Sequence, residues 1–189
     1  KHDISARIVE VVQGDESKAL SPGDVKPIEM LFLGPYAVTF EAERLARVWR
    51  EWIEGELRKI DRKCHVRLEV CEPPFLVPGA VDGQSFWVRP NHPKADDRRK
   101  MLRKQLFTSV VQALGSAVLM QPRIISGIGQ GGLIVALLGQ PLVVEAACRA
   151  RIVTDTELAE FRRAWARVEW LFVIDPVVLP QRTDWKEVT

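Results

Sequence analysis

Short apolar runs and stretches with a helical period alternate along the chain, and each pattern predicts a different element. The run Glu29–Leu33 stops at Gly34-Pro35 and predicts a buried strand. Apolar side chains then recur three and four positions apart, which predicts a helix with one buried face. That face would carry Leu45, Val48, Trp49, Trp52, Ile53, Leu57 and Ile60.

The same two patterns return through the rest of the chain. Cys64–Cys71 alternates apolar and polar residues and predicts a strand, and Asp96 to about Met120 predicts a long helix. Arg123–Ser126 predicts a further strand, whereas the apolar run Leu142–Cys148 fits either a strand or a helix. Strands that alternate with helices are typical of a mostly parallel sheet.

Two signals mark the last elements. Thr154 and Glu157 have the spacing of a capping box and predict the start of a helix. The apolar run Trp170–Ile174 predicts the last central strand of the sheet.

These elements predict one three-layer, Rossmann-like α/β domain over residues 28–176. Within residues 1–27, Ile4–Val12 alternates and a polar stretch follows, which predicts an edge strand or an N-terminal arm. Residues 177–189 predict a polar tail. The length of 189 residues suits one domain with a substantial core.

Composition narrows the class of protein. No apolar run reaches the ~18 residues of a membrane span, which argues against an integral membrane protein. An odd number of cysteines without CxxC spacing favours a reducing intracellular compartment, although Lys1 leaves a removed targeting segment open. We expect no metal site and no cofactor, because no ligand spacing joins the three histidines, His2, His65 and His92.

Charge and tryptophans suggest contact surfaces. Six cations lie in Lys94–Lys104, but the net charge of +2 argues against a nucleic-acid partner. We expect a solvated helix face there, with a protein contact as the alternative. Trp49, Trp52 and Trp165 are expected in the core, because they fall on apolar helix faces. The candidate interface residues are Trp87, Arg89, Arg98, Arg99, Arg103 and Trp185.

The stretch Ser126–Gly132 is the one segment whose pattern suggests chemistry. Glycines let the main chain approach a ligand closely, and the start of a helix suits phosphate or carboxylate. In parallel sheets the ligand crevice lies at the carboxyl ends of the strands. The predicted ligand-binding residues are Gly127, Gly129, Gln130, Gly131 and Gly132. A tight strand–helix turn that needs small residues for packing is the alternative.

Ser126–Gly131, followed by Val144–Cys148, resembles the type B ribose-5-phosphate and galactose-6-phosphate isomerases. In that Rossmann-like family, a strand ends in a CGxGxG-like loop before a helix and a segment rich in alanine. The resemblance implies that Ser126 stands where many members have a catalytic cysteine, with the loop amides facing the sugar or its phosphate. The chain departs from the family because no histidine follows His92 to open the sugar ring.

The same loop is similar to the nucleophile elbow of α/β-hydrolases, a GxSxG motif between a strand and a helix. Gly127–Gly131 fits that motif with Gly129 at the position of the serine. Glycine supplies no nucleophile, and without a later histidine no triad can form. The similarity therefore implies an inactive relative of the hydrolases.

Two functions of different classes follow from these patterns. The first is an isomerase-like enzyme or binder for a phosphorylated small molecule, with Ser126 as a hydrogen-bond donor and Glu145 as proton shuttle. Glu145 is chosen because it lies in an apolar run, where an acid needs a partner. The second is a non-catalytic interaction module, with a vestigial ligand pocket, that binds a protein partner or a second copy of itself. The lack of a complete catalytic constellation favours the second.

Overall fold

The computed structural model describes residues 8–10, 27–35, 37–60, 63–77 and 83–177, with the backbone alone at 8–10 and 37–41. Most of the predicted arm, and the tail beyond Val177 with Trp185, lie outside the described residues. Eight strands occur within the described part: β1 Ile8–Glu10, β2 Ile28–Leu33, β3 Ala37–Val38, β4 Val66–Cys71, β5 Phe75–Leu76, β6 Gly83–Ser85, β7 Ile124–Ile128 and β8 Trp170–Ile174.

Five of these strands form the main sheet, in the order β1-β4-β2-β7-β8. The last four in that order are parallel, and β1 pairs antiparallel with β4 at one edge. β1, which lies within residues 1–27, is thus an edge strand of this sheet. The three remaining strands form a small antiparallel sheet, ordered β3-β6-β5.

Helices cover both faces of the main sheet, which gives the predicted three-layer α/β fold. They are α1 Thr39–Ile60, α2 Ala95–Met120, α3 Gln130–Leu138, α4 Pro141–Ala150 and α5 Asp155–Trp165. On one face α1 packs over Met30 and Phe32. On the other face the remaining four helices enclose a larger core that includes Leu31, Leu33 and Ile125.

The capping box that starts α5 is confirmed. The Thr154 hydroxyl accepts a hydrogen bond from the Glu157 amide at 3.2 Å, and a Glu157 carboxylate oxygen accepts one from the Thr154 amide at 2.8 Å. Two amides that the helix leaves unpaired are thereby satisfied.

The segment Leu142–Cys148 lies inside α4, so the helical interpretation of that run is correct. The axes of α3 and α4 meet at a bend of 100°. Among the described residues, no single helix is long and apolar enough to cross a membrane, and this bent pair passes that test of length and composition only when the two are combined.

The prediction that Trp170–Ile174 is a central strand is wrong. β8 pairs with β7 on one side, and no described strand lies on its other side. Its side chains are partly or largely exposed on both faces, with Trp170 at 60%. An apolar run alone does not distinguish a central strand from an uncovered edge, because both have the same residue composition.

Candidate functional site

The glycine-rich stretch lies at the point where the strand order reverses. The chain passes from β2 to β4 on one side of β2, and then to β7 on the other side. In open α/β sheets this reversal places a crevice at the carboxyl ends of the two adjacent strands. Gly34 and Pro35 follow β2 at that end, and Gly129 follows β7 there. The topology therefore brings the predicted site to the expected edge of the sheet.

Gly129 makes the sharp turn from β7 into α3. Its backbone angles are φ 59° and ψ −117°, a conformation that residues with a side chain rarely adopt. Gly129 is also the residue that stands at the serine position in the comparison with the GxSxG motif. A Cβ atom at Gly129 would lie 3.2 Å from the Pro35 Cβ atom.

The neighbouring glycines allow main-chain segments to pack directly on one another. A Cβ atom at Gly131 would lie 2.1 Å from the Leu33 carbonyl oxygen, well inside van der Waals contact. A Cβ atom at Gly127 would lie 2.5 Å from the Gly131 carbonyl oxygen, and one at Gly132 would lie 2.9 Å from that of Ile174. These glycines are thus required by packing between β2, β7, β8 and α3.

Main-chain hydrogen bonds already occupy two of the amide groups of the turn. The Gly131 amide donates to the Gly34 carbonyl at 3.1 Å, and the Gly129 amide donates to the Ile174 carbonyl at 3.1 Å. The Val177 amide donates to the Gly129 carbonyl at 3.1 Å, so the chain after β8 crosses the turn. Two amides that an anion would need are therefore already bonded to carbonyls of the protein.

Gln130 has a structural role that sequence reasoning missed. Its buried side-chain oxygen accepts hydrogen bonds from the Ser85 hydroxyl at 2.8 Å and the Phe86 amide at 3.1 Å. Its side-chain nitrogen donates to the Trp87 carbonyl at 3.2 Å. The amide group thus fixes the segment after β6 against the glycine turn. In the sequence, the only indication of this contact is the small polar residue Ser85, which lies 45 positions before Gln130.

Ser126 faces the layer formed by α1. In the sheet it lies between Phe32 on β2 and Phe172 on β8, both of which belong to the core beneath α1. Its side chain is fully buried, and its hydroxyl has no hydrogen-bond partner among the described residues. Ser126 is therefore buried between two aromatic residues, three positions before Gly129.

Glu145 lies on the opposite side of the sheet. It is on α4, which packs against α2 and α3, and its side chain is 49% exposed. Its carboxylate forms an ion pair with Arg149, one helical turn further on, at 3.9 Å. The structure does not bring Ser126 and Glu145 together, because the sheet separates them.

Other titratable groups of the described core do not converge on the turn. Burial raises the pKa of the Cys71 thiol to about 12, and the Ser116 hydroxyl lies 3.4 Å away. On the α2 face of the sheet, Arg67 lies 3.8 Å from Glu29 and 3.2 Å from Glu69. Burial raises the pKa of Glu29, and Arg67 partly opposes that effect. No cluster of His, Cys, Asp and Glu in the described part could hold a metal ion.

The basic segment Lys94–Lys104 lies on the first, exposed turns of α2. Three of its arginines make local contacts. Arg98 donates to the Pro93 carbonyl at 2.9 Å and Arg99 lies 3.5 Å from Asp96, while the Arg103 guanidinium lies 5.3 Å from the centre of the Phe107 ring. Arg89 is exposed beside this segment. These observations agree with a solvated helix face.

The exposed tryptophans are not the ones that the sequence suggested. Trp87, expected at the surface, is buried at 7% exposure, because Gln130 and α2 enclose its segment. Trp165 is half-buried and packs against the larger core, as expected. Trp52, expected in the core, is 53% exposed.

Exposed apolar side chains collect along β8 and α1. Trp49 packs edge-on against Phe172 with ring centres 6.2 Å apart, and Trp52 stacks on Trp49 at 4.9 Å. Val48 is exposed one turn before Trp52 on the same side of α1. We call this the edge surface, formed by Trp170, Leu171 and Val173 on β8 with Val48 and Trp52 on α1.

Comparisons with known proteins found no match. No family model, no curated protein and no solved structure is significantly similar to the chain.

Proposed function

We propose that this chain is a non-catalytic α/β interaction module that contacts another protein through the edge surface. The observation that carries the proposal is the contrast between two regions. The glycine turn is closed by the protein's own main chain, whereas β8 exposes apolar side chains on both faces. These side chains form two groups, with Trp170, Val48 and Trp52 on the α1 side and Leu171 and Val173 on the opposite face. Clustered exposed apolar surface on a folded domain marks a site of contact with a partner.

The turn supports this proposal because its backbone conformation is like that of a nucleophile elbow, but its residues supply no nucleophile. Gly129 adopts the strained conformation, but it has no side-chain atom that could attack a substrate. The three histidines of the sequence all precede residue 93, and Ser126 and Glu145 lie in different layers of the fold. General acid–base chemistry requires such groups within hydrogen-bond reach of one substrate. We therefore propose that any ligand pocket at the turn is vestigial, and a relation to the hydrolases would then be to an inactive member.

A ligand titration tests the non-catalytic part of the proposal. The chain would be melted in the presence of inorganic phosphate and of ribose 5-phosphate, the ligand class that the isomerase resemblance implies. A specific ligand at a hundredfold excess over its Kd adds ~2.7 kcal/mol to the free energy of unfolding, a readily measured shift in Tm. We expect no dose-dependent shift with either compound.

Two variants at Gly129 locate any binding that does occur. The side chains introduced by Gly129→Asn and Gly129→Asp have nearly equal size, so the strain of placing a side chain at φ 59° and ψ −117° is common to both variants. Asp adds a negative charge at the start of α3, where it would repel a bound anion. Phosphate binding that persists in Gly129→Asn and disappears in Gly129→Asp would contradict the proposal and favour the isomerase-like function.

A further inference from the structure

The outer edge of β8 lacks the features that protect edge strands in monomeric proteins. Such strands are normally interrupted by a charge, a proline or a bulge, or they are covered by another element. Trp170–Ile174 contains no charged residue and no proline, and no described element covers its outer edge. Its main-chain donors and acceptors on that side can pair with a further strand.

Within this chain, β8 itself is the best match for such a strand. Residues 178–189 contain Pro180, four charged residues and no run of five apolar residues. The Val177 amide donates to the Gly129 carbonyl, so the chain leaves β8 toward β7 and away from the outer edge. β1 lies at the opposite edge of the sheet.

From this edge we propose that two copies of the chain associate by antiparallel pairing of β8 with β8, which joins the two sheets into one. This proposal rests on the proposed function and names its partner. A two-fold axis normal to the sheet at Phe172 places Trp170 opposite Ile174 of the second copy. On the other face it places Leu171 opposite Val173. Aromatic and β-branched residues are favourable cross-strand pairs.

Charges at the two ends of β8 are compatible with this register. Glu169 of one copy lies opposite Asp175 of the other, and like charges in that position would be destabilising. Arg123 offsets the repulsion, because its guanidinium donates to both Glu169 carboxylate oxygens, at 2.8 and 2.7 Å.

Sedimentation velocity over about a hundredfold range of protein concentration tests the proposal. We expect a species of twice the 21.4 kDa chain mass at high concentration. Val173→Lys adds a charge to the exposed face of β8 and should raise the dimer Kd at least about tenfold. Leu142→Lys makes a similar change on exposed α4 and should leave the Kd unchanged. Circular dichroism and Tm verify that both variants fold.

Three results would overturn the proposal. The first is a monomer at every concentration, and the second is a Val173→Lys variant that dimerises like the unaltered chain. The third is a monomer that becomes a dimer when residues 178–189 are deleted, because the tail would then be the occupant of the edge.

Binding of the dye bis-ANS distinguishes the dimer from the broader proposed function. If the unaltered chain is a monomer that binds the dye and the Val173→Lys variant does not bind it, the dimer is overturned. The edge surface then remains as an interaction site. A monomer that binds no dye overturns both.

Discussion

At the scale of single residues, the glycine turn shows how one sequence feature can serve packing instead of ligand binding. Gly131 lies where β2 and α3 approach so closely that a Cβ atom would overlap the Leu33 carbonyl. The same approach lets the Gly131 amide bond to the Gly34 carbonyl. Because a crowded turn and a phosphate-binding loop both require small residues, their sequences look alike.

This interpretation predicts opposite effects for two glycine-to-alanine changes. Gly131→Ala should lower the free energy of unfolding by at least ~2 kcal/mol, because the backbone must shift to admit the methyl group. Gly55→Ala, on α1 with open space around it, should raise it by ~0.5–1 kcal/mol through helix propensity. Chemical denaturation measures both. A Gly131→Ala variant as stable as the unaltered chain would contradict the packing role.

Glu29 provides a prediction that depends on pH. Burial raises its pKa in the folded state, so the folded chain binds this proton more tightly than the unfolded chain does. The associated stability is fully present below the unfolded pKa and is lost as pH rises through the folded pKa. We therefore expect Glu29→Gln to raise the free energy of unfolding near pH 7 and to change it little near pH 4.

Denaturation of Glu29→Gln at the two pH values checks this expectation. Glu51→Gln on an exposed position of α1 is the matched control and should differ little from the unaltered chain at either pH. A Glu29→Gln variant that is less stable near pH 7 would show that the contact with Arg67 outweighs the burial of the charge.

At the scale of elements, local signals predicted more than long-range ones. The capping box and the helical periods located α2 and α5, because those signals lie within a few residues of one another. The position of β8 at an edge depends on which strands pair with it, which its own residues do not encode. The clamp formed by Gln130 depends on Ser85 and Trp87, more than forty positions away. The sequence therefore predicted that the glycine turn lies at the carboxyl ends of the parallel strands, but it did not predict the hydrogen bonds of Gln130 within that turn.

The start of α5 allows a direct test at this scale. Thr154→Ala removes the hydroxyl that accepts the Glu157 amide and should lower the free energy of unfolding by ~1 kcal/mol. Thr156→Ala, two residues further along the same helix and exposed, should be neutral or slightly stabilising. If both variants lower the free energy of unfolding equally, the cap contributes nothing beyond the general effect of replacing threonine by alanine.

At the scale of the whole molecule, the two faces of the sheet are covered unequally. Four helices lie on one face, whereas α1 alone lies on the other and reaches β8 through Trp49. Within the described residues, the last strand of the sheet is partly open on both faces and pairs with no strand along one edge, which leaves apolar surface to bury. This asymmetry is the reason why the proposed interaction is assigned to β8.

Hydrogen exchange of the β8 amides at low and high protein concentration tests this claim most directly. We expect exchange at the Leu171 and Val173 amides to slow at high concentration, because they face the outer edge, whereas the Trp170 amide already donates to the Arg123 carbonyl. The exposed first turns of α2 serve as the internal control and should exchange equally at both concentrations. Rapid exchange of β8 at both concentrations would contradict the assignment of its edge as the contact between two copies.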